Sequence, residues 1–179
     1  VVSSLKQSRD FRPNLDDVER FLTEDPSPKA IFLNTPQNPT GGVATEKDLQ
    51  ELADLVRGRD IAVFSDDPYD QMVWNGQHHS PLARPGMLDQ CVAAYTFSKS
   101  FSMSGWRLGF TVSSPAIAQL IAKLTNTALS CVPPFVQMAG IADLENDLPE
   151  RDKNMATFRQ KVEYLSSQLD ALPDINCLT

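Results

Sequence analysis

Apolar residues follow two different periods along this chain. Short, nearly continuous apolar runs occupy residues 30–34, 61–65, 91–97 and 108–112. Runs of this length predict β-strands. Elsewhere apolar residues recur every three or four positions, which predicts amphipathic helices between and after the strands. Because strands and helices alternate, the pattern predicts an α/β fold with a mainly parallel sheet.

The predicted helices have recognisable start and stop signals. Asn14 can cap the first helix, which carries apolar residues on one face. Thr45 can cap the second, and Gly58 is a suitable stop for it. Proline suits a first helical turn, so Ser114 and Pro115 are typical of the start of a third helix. Two further helices are predicted over 135–144 and 151–172.

Polar and charged side chains follow three of the predicted strands. The first strand leads into residues 35–42, the second into Asp66 and Tyr69, and the third into Ser98 and Lys99. In an open α/β sheet, ligands bind outside the carboxyl ends of the strands. We therefore expect an amide, a carboxylate, a phenol and a lysine to meet at one edge of the sheet.

Lys99 and Arg107 indicate what this edge could bind. Lysine amines form Schiff bases with carbonyl compounds, including pyridoxal phosphate. The planar fork of an arginine suits a phosphate, to which it can donate two parallel hydrogen bonds. One segment could thus hold both the aldehyde and the phosphate of a single cofactor. The alternative is a lysine and an arginine on a solvated loop, where such pairs are common.

Three motifs in order resemble those of class I/II aminotransferases. They are residues 38–41, 66–69 and 98–109, which read Asn-Pro-Thr-Gly, Asp-Asp-Pro-Tyr and Ser-Lys through Arg-Leu-Gly. The resemblance covers about residue 11 to about residue 172. It implies the aspartate-aminotransferase-like fold of pyridoxal-phosphate enzymes (fold type I), a three-layer α/β/α arrangement around a mainly parallel sheet.

The resemblance assigns the central chemistry to Lys99 and Asp66. It implies that Lys99 holds pyridoxal phosphate as an internal aldimine, and that the freed amine then moves a proton from the substrate α-carbon to the cofactor. Asp66 matches the aspartate that keeps the cofactor's ring nitrogen protonated by charge pairing. Asp67 stands where the family usually has glutamate, and we interpret it as a structural or rim carboxylate outside the site.

The other matching positions would hold the rest of the cofactor. Asn38 and Tyr69 match residues that bond the cofactor's phenolic oxygen. Arg107 would clamp the phosphate, with Thr96 and Ser98 as hydroxyl donors. Thr96 departs from the usual serine or glycine but keeps the hydroxyl.

The implied function is transamination between an amino acid and a 2-oxo acid, with a specificity that these motifs leave open. Pyridoxal-phosphate lyases and aminocyclopropane-carboxylate synthases carry similar motifs and are an alternative. A further alternative is the aminotransferase-like effector domain of a regulator, and another is a remnant without activity.

The resemblance also bears on the extent of the chain. Residues 1–172 match the middle of the cofactor-binding large domain, and 173–179 match the start of the connection to a small carboxyl-terminal domain. We expect the chain to be incomplete, since the family's upstream phosphate loop and downstream carboxylate-binding arginine have no match. We expect a homodimer for the full-length protein and doubt that this segment is active alone.

Composition, charge and cysteine spacing bear on the binding partners, the location and the metal content of the protein. With 179 residues, 41% of them hydrophobic, and a net charge of −7, the chain is not expected to bind nucleic acid or a membrane surface. Cysteines at 91, 131 and 177 show neither disulfide nor metal spacing, which favours a cytoplasmic location. Adjacent His78 and His79 have no ligand at metal-site spacing, and we predict no metal there.

Overall fold

The structure is a computed structural model that describes residues 3–146, 148–175 and 177. It confirms the predicted elements, with small displacements of their ends. The strands are β1 (Ala30–Asn34), β2 (Ala62–Asp66), β3 (Cys91–Thr96) and β4 (Gly109–Val112). The helices are α1 (Leu15–Glu24), α2 (Glu46–Val56), α3 (Pro115–Ala128), α4 (Pro134–Asn146) and α5 (Leu148–Asp170). Short 3₁₀ turns cover Gln7–Arg9, Pro81–Ala83 and Ser104–Trp106.

The four strands form one sheet in the order β1-β2-β3-β4. Strands β1, β2 and β3 are parallel, and β4 runs antiparallel to β3. Asn34 pairs with Asp66, and Asp66 pairs with Ala94. The mainly parallel α/β fold is therefore confirmed, and the carboxyl ends of the three parallel strands lie at one edge.

The main core lies where α1 and α2 pack on one face of the sheet. Alternate strand residues Leu33, Val63 and Cys91 are buried in this layer, with Leu49 and Val56 from α2. Burying a side chain of this size contributes roughly 1.5–3 kcal/mol. The core therefore fixes which residues of each strand face the helices and which are left for the edge.

The start of α2 matches its prediction, whereas the start of α1 does not. The Thr45 hydroxyl accepts from the Asp48 N–H at 3.2 Å, and the Asp48 carboxylate accepts from the Thr45 N–H at 2.8 Å. Gly58 follows the helix with φ of +72°. Asn14 occupies the cap position of α1, but its side chain makes no capping bond. The predicted cap is wrong because the Asn14 side-chain oxygen accepts from the Arg9 guanidinium instead, while its amide donates to the buried Asp17 carboxylate at 2.9 Å.

The carboxyl-terminal helices are much less buried than α1 and α2. Phe97, Met103, Leu108 and Val136 form a second, smaller core between α4 and the segment that joins β3 to β4. Helices α3 and α5 bury none of their described side chains. The other face of the sheet is also open, since Phe32 is 80% exposed. Across the described residues, no helix combines the length and apolar content that a membrane crossing requires.

Candidate functional site

Asn34 joins the ends of β1 and β2. Its Nδ2 donates to the Asp66 carbonyl oxygen at 2.9 Å and to Asp66 Oδ2 at 3.3 Å. Its Oδ1 accepts from the Asn38 N–H at 3.0 Å. Asn34 thus orients the Asp66 carboxylate and the turn that carries Asn38. In the sequence, Asn34 is marked as a site residue only by being an amide at the end of a buried strand, and it is not among the predicted site residues.

Tyr69 is the point at which three predicted site residues meet. Asn38 Nδ2 donates to the Tyr69 hydroxyl at 3.0 Å. The Lys99 ammonium lies 5.2 Å from the centre of the Tyr69 ring, within the range of a cation–π contact. Residues that follow β1, β2 and β3 are therefore neighbours at the carboxyl edge, as their positions after these strands predicted.

Asp66 presents a carboxylate without a basic partner. No lysine, arginine or histidine in the described ranges forms an ion pair with it, and the Asn34 amide is its side-chain hydrogen-bond donor. Partial removal from water raises the pKa of Asp66, and the negative charge of Asp67 raises it further. A cation placed beside this carboxylate would favour its ionised form.

Lys99 and Arg107 are exposed cations in the segment that joins β3 to β4. Within the described part of the chain, neither forms an ion pair with a carboxylate; Arg107 Nη1 donates to the Ser104 carbonyl at 3.1 Å. Arg107 also has a φ of +55°, a left-handed conformation that costs a non-glycine residue about 1–2 kcal/mol. Such conformations cluster at functional sites. Both cations are thus available to an anionic ligand.

The two predicted hydroxyl donors differ in their surroundings. The Thr96 hydroxyl accepts from the Ser98 N–H at 3.0 Å and donates to the Leu108 carbonyl at 3.4 Å. Thr96 therefore shapes the turn that precedes Lys99. The half-buried Ser98 hydroxyl makes no hydrogen bond to another described residue. Contact of either hydroxyl with a phosphate stays a prediction.

Asp67 is not a rim residue, and that part of its interpretation is wrong. Its side chain is 0% exposed, because Asp67 continues the alternation of β2 and lies on the same buried face as Ser65. Ser65 Oγ donates to Asp67 Oδ1 at 2.6 Å, and His78 Nε2 lies 3.6 Å from Asp67 Oδ2. His78 lies in a loop, as predicted, but its side chain is only 15% exposed. No group of three or more potential metal ligands occurs among the residues that the structure describes.

The fold defines the class of protein. An aspartate aminotransferase from Thermotoga maritima superposes with a TM-score of 0.85 at 32% identity, covering 95% of this chain and 44% of that one. The chain therefore has the aspartate-aminotransferase fold that the motifs implied.

The family follows from sequence comparison. The family model described as aminotransferase class I and II matches residues 1–179, and the chain belongs to this family. An aromatic-amino-acid aminotransferase of Thermococcus litoralis is 33% identical over 142 residues, covering 79% of this chain and 36% of the relative. The arginine–pyruvate transaminase AruH of Pseudomonas aeruginosa is 30% identical over 174 residues, covering 97% and 44%. The chain spans less than half the length of either relative.

Proposed function

We propose that the protein is a pyridoxal-phosphate-dependent aminotransferase, which moves an amino group between an amino acid and a 2-oxo acid. The observation that carries this proposal is the contact of Asn38 and Lys99 with Tyr69 at the carboxyl edge of the sheet. When bound, pyridoxal phosphate supplies an electron sink for the negative charge that develops at the substrate α-carbon.

The residues at this edge fit the charges of that cofactor. Lys99 supplies the amine that binds the aldehyde covalently, and its exposure leaves the amine accessible. Asp66, which has no basic partner among the described residues, supplies the carboxylate for the protonated ring nitrogen. Arg107 supplies a phosphate-binding guanidinium that no described carboxylate occupies.

The remaining predicted residues complete the proposed set. The Asn38 amide and the Tyr69 phenol, already joined at 3.0 Å, would bond the cofactor's phenolic oxygen. Ser98 would donate to the phosphate. Thr96, whose hydroxyl also bonds to the backbone of the turn, is the second proposed hydroxyl donor to the phosphate.

Lys99 is also the proposed acid–base group. With the cofactor bound, the free amine of Lys99 would take the proton from the substrate α-carbon. The neighbouring Tyr69 ring holds the ammonium form near the edge of the sheet through its π-face. The same lysine would thus both bind the cofactor and move the proton.

The extent of the protein is a further part of the proposal. We propose that residues 1–172 are the middle of a large domain, that 173–179 begin the connection to a small domain, and that the full-length protein is a cytoplasmic homodimer. Its free cysteines, Cys91, Cys131 and Cys177, are compatible with a reducing compartment. The relatives are named for aromatic amino acids, aspartate and arginine, so the substrate side chain stays open.

Borohydride reduction tests the attachment of the cofactor. The full-length protein is loaded with pyridoxal phosphate and reduced, and its peptides are mapped by mass spectrometry. We expect the pyridoxyl group on Lys99, and no label at that peptide in Lys99→Ala. A label on another lysine, such as Lys123, would contradict the assignment. Product analysis then separates transamination, which gives an oxo acid and a new amino acid, from elimination, which gives ammonia and pyruvate.

A further inference from the structure

A buried polar cluster lies behind the edge of the sheet, and the proposed chemistry does not use it. Asp67 is its centre, with a side chain that is 0% exposed. Ser65 Oγ donates to Asp67 Oδ1 at 2.6 Å. Asp67 Oδ2 is buried and has no hydrogen-bond partner among the described residues. A fully buried carboxylate in this position requires another donor or a cation.

His78 is placed to supply the further donor or cation that the buried Asp67 carboxylate requires. Its Nε2 lies 3.6 Å from Asp67 Oδ2. Both ring nitrogens of His78 are buried without a hydrogen-bond partner in the described part of the chain. Unpaired polar atoms of His78 and Asp67 therefore lie close together, and the Tyr95 phenol is a second side chain that interacts with the Asp67 carboxylate. An imidazolium beside a carboxylate satisfies both groups at once.

The other titratable groups near Asp67 supply no positive charge. Asp66 precedes it in the chain, and Cys91 and Tyr95 face it from β3. The charge of Asp67 contributes to raising the pKa of each of these three groups, secondary to burial in every case. Asp70, in the loop after β2, acts on the Tyr95 phenol in the same direction. Among the described residues, His78 is the only basic side chain within 4 Å of the Asp67 carboxylate.

The pair is connected to the proposed site in two ways. Asp67 follows Asp66 directly, so the charge of one carboxylate acts on the other. Tyr69 lies in the loop that begins at Asp67 and returns to His78. A contact between Asp67 and His78 therefore closes the loop that carries the Tyr69 phenol.

We propose that His78 is a positioning residue, which as an imidazolium closes the Tyr69 loop on Asp67 and offsets the Asp67 charge that acts on Asp66. The proposal rests on the proposed function, because it is Asp66 and Tyr69 that would hold the cofactor. His78 itself touches neither cofactor nor substrate in this proposal.

The test measures Asp66 in the full-length protein without cofactor. The Asp66 carboxyl carbon is followed by ¹³C NMR against pH and is assigned by its absence in Asp66→Asn. His78→Gln keeps a side-chain donor but removes the charge, so we expect the pKa of Asp66 to rise. Asp67→Asn should lower it, and the double variant should resemble Asp67→Asn. His79→Gln is the matched control and should leave Asp66 unchanged.

Two further measurements keep the outcome decisive. In the unsubstituted protein at pH 7, ¹⁵N shifts should show both His78 ring nitrogens protonated; a neutral ring overturns the proposal even if His78→Gln does not fold. Titration with pyridoxal phosphate should show severalfold weaker binding for His78→Gln than for His79→Gln. A folded His78→Gln in which neither Asp66 nor cofactor affinity changes also overturns it. If the unsubstituted protein does not bind pyridoxal phosphate, the proposed function is refuted instead. The Asp66 titration still tests the role of His78, because it is made without cofactor.

Discussion

The apolar core under the sheet and the polar edge at its carboxyl end are built from the same three strands. In the core, Leu33 and Val63 are almost completely buried against α1 and α2. Asn34 follows Leu33 directly and Asp66 comes three residues after Val63; both lie at the edge, where they bond to each other. Neighbouring positions therefore serve different purposes, so changes in the core should cost stability and changes at the edge should cost ligand binding.

Lys99→Ala should give the largest effect, and it should leave stability intact. Lys99 is exposed and makes no ion pair among the described residues, so we expect the free energy of unfolding to change by no more than about 0.5 kcal/mol. Transfer of the amino group to 2-oxoglutarate in the full-length protein should fall by about 10²–10⁴-fold, because the proposed acid–base group is lost. Lys123→Ala, on the exposed surface of α3, should retain full turnover. If Lys99→Ala retained a tenth of the activity, the expectation that edge residues serve ligand chemistry would be wrong for Lys99.

Leu49→Ala should give the opposite result. Leu49 is 1% exposed in the main core, and truncation of a buried leucine costs about 2–5 kcal/mol. Urea denaturation measures this loss, with Lys47→Ala on the exposed face of the same helix as control. Affinity for pyridoxal phosphate should be unchanged under conditions in which the variant remains folded. A loss of affinity without a loss of stability would contradict the separation of the two regions.

Gly140→Ala tests whether the smaller core supports the edge. A Cβ at Gly140 would lie 2.5 Å from Leu108 Cδ2 and 3.2 Å from the Phe97 ring. Phe97 and Leu108 flank the segment that carries Lys99 and Arg107, so overpacking here should displace that segment. We expect about 1–3 kcal/mol of lost stability together with weaker cofactor binding.

Gly105→Ala is the matched control for that variant. A Cβ at Gly105 meets nothing within 4 Å, although Gly105 lies in the same segment as Arg107. Stability should therefore be retained. If Gly140→Ala lowers stability but leaves cofactor affinity unchanged, the smaller core does not position the edge.

Asn34→Ala should have a moderate effect that falls mainly on the edge. The substitution removes the donor to Asp66 and the acceptor for the Asn38 N–H. Hydrogen bonds to charged groups are worth about 1.5–3 kcal/mol, so affinity for pyridoxal phosphate should fall by about tenfold or more. Absorbance titration measures the affinity, and Asn75→Ala in an exposed loop is the control. Equal affinities of the two variants would show that Asn34 does not orient the site.

The sequence predicted the elements and their order well because both depend on local pattern. The apolar runs gave the strands, and the helix that begins after Thr45 has the predicted cap and stop. The position of polar residues after successive strands predicted that Asn38, Tyr69 and Lys99 would be neighbours. These inferences need only the period of the pattern and the common direction of parallel strands.

Contacts between a strand or helix and the loops that pack against it could not be predicted. Asp66 and Asp67 are adjacent and chemically identical, yet one lies at the edge and the other is buried beside His78. The alternation of β2 decides this, because Ser65 and Asp67 lie on its buried face and Asp66 lies on the other. The alternation was present in the sequence, whereas the contact with His78 was not predictable from it. In α3, the apolar Leu120 is 59% exposed although its spacing predicts a buried face. A pattern predicts a helix but does not say what packs against it.

The smallest effect should appear only at alkaline pH, and it belongs to the core. Burial raises the pKa of the Cys91 thiol to about 12, and the Asp67 charge adds to this effect. In the unfolded chain the thiol ionises near its ordinary pKa, so the folded state binds this proton more tightly. The contribution of Cys91 to stability is therefore complete below about pH 9 and is lost as the pH rises towards about 12.

Cys91→Ala should consequently flatten the decline of stability between these pH values, as measured by urea denaturation at a series of pH values. The decline should not vanish, because the half-buried Tyr95 phenol also has a raised pKa and contributes with the same sign. Cys131→Ala should leave the decline unchanged, since Cys131 is exposed in the structure. An unaltered decline in Cys91→Ala would mean that the thiol reaches water in the folded protein. Water would then reach the core at β3, the strand that leads to Lys99, and core and edge would not be separate regions there.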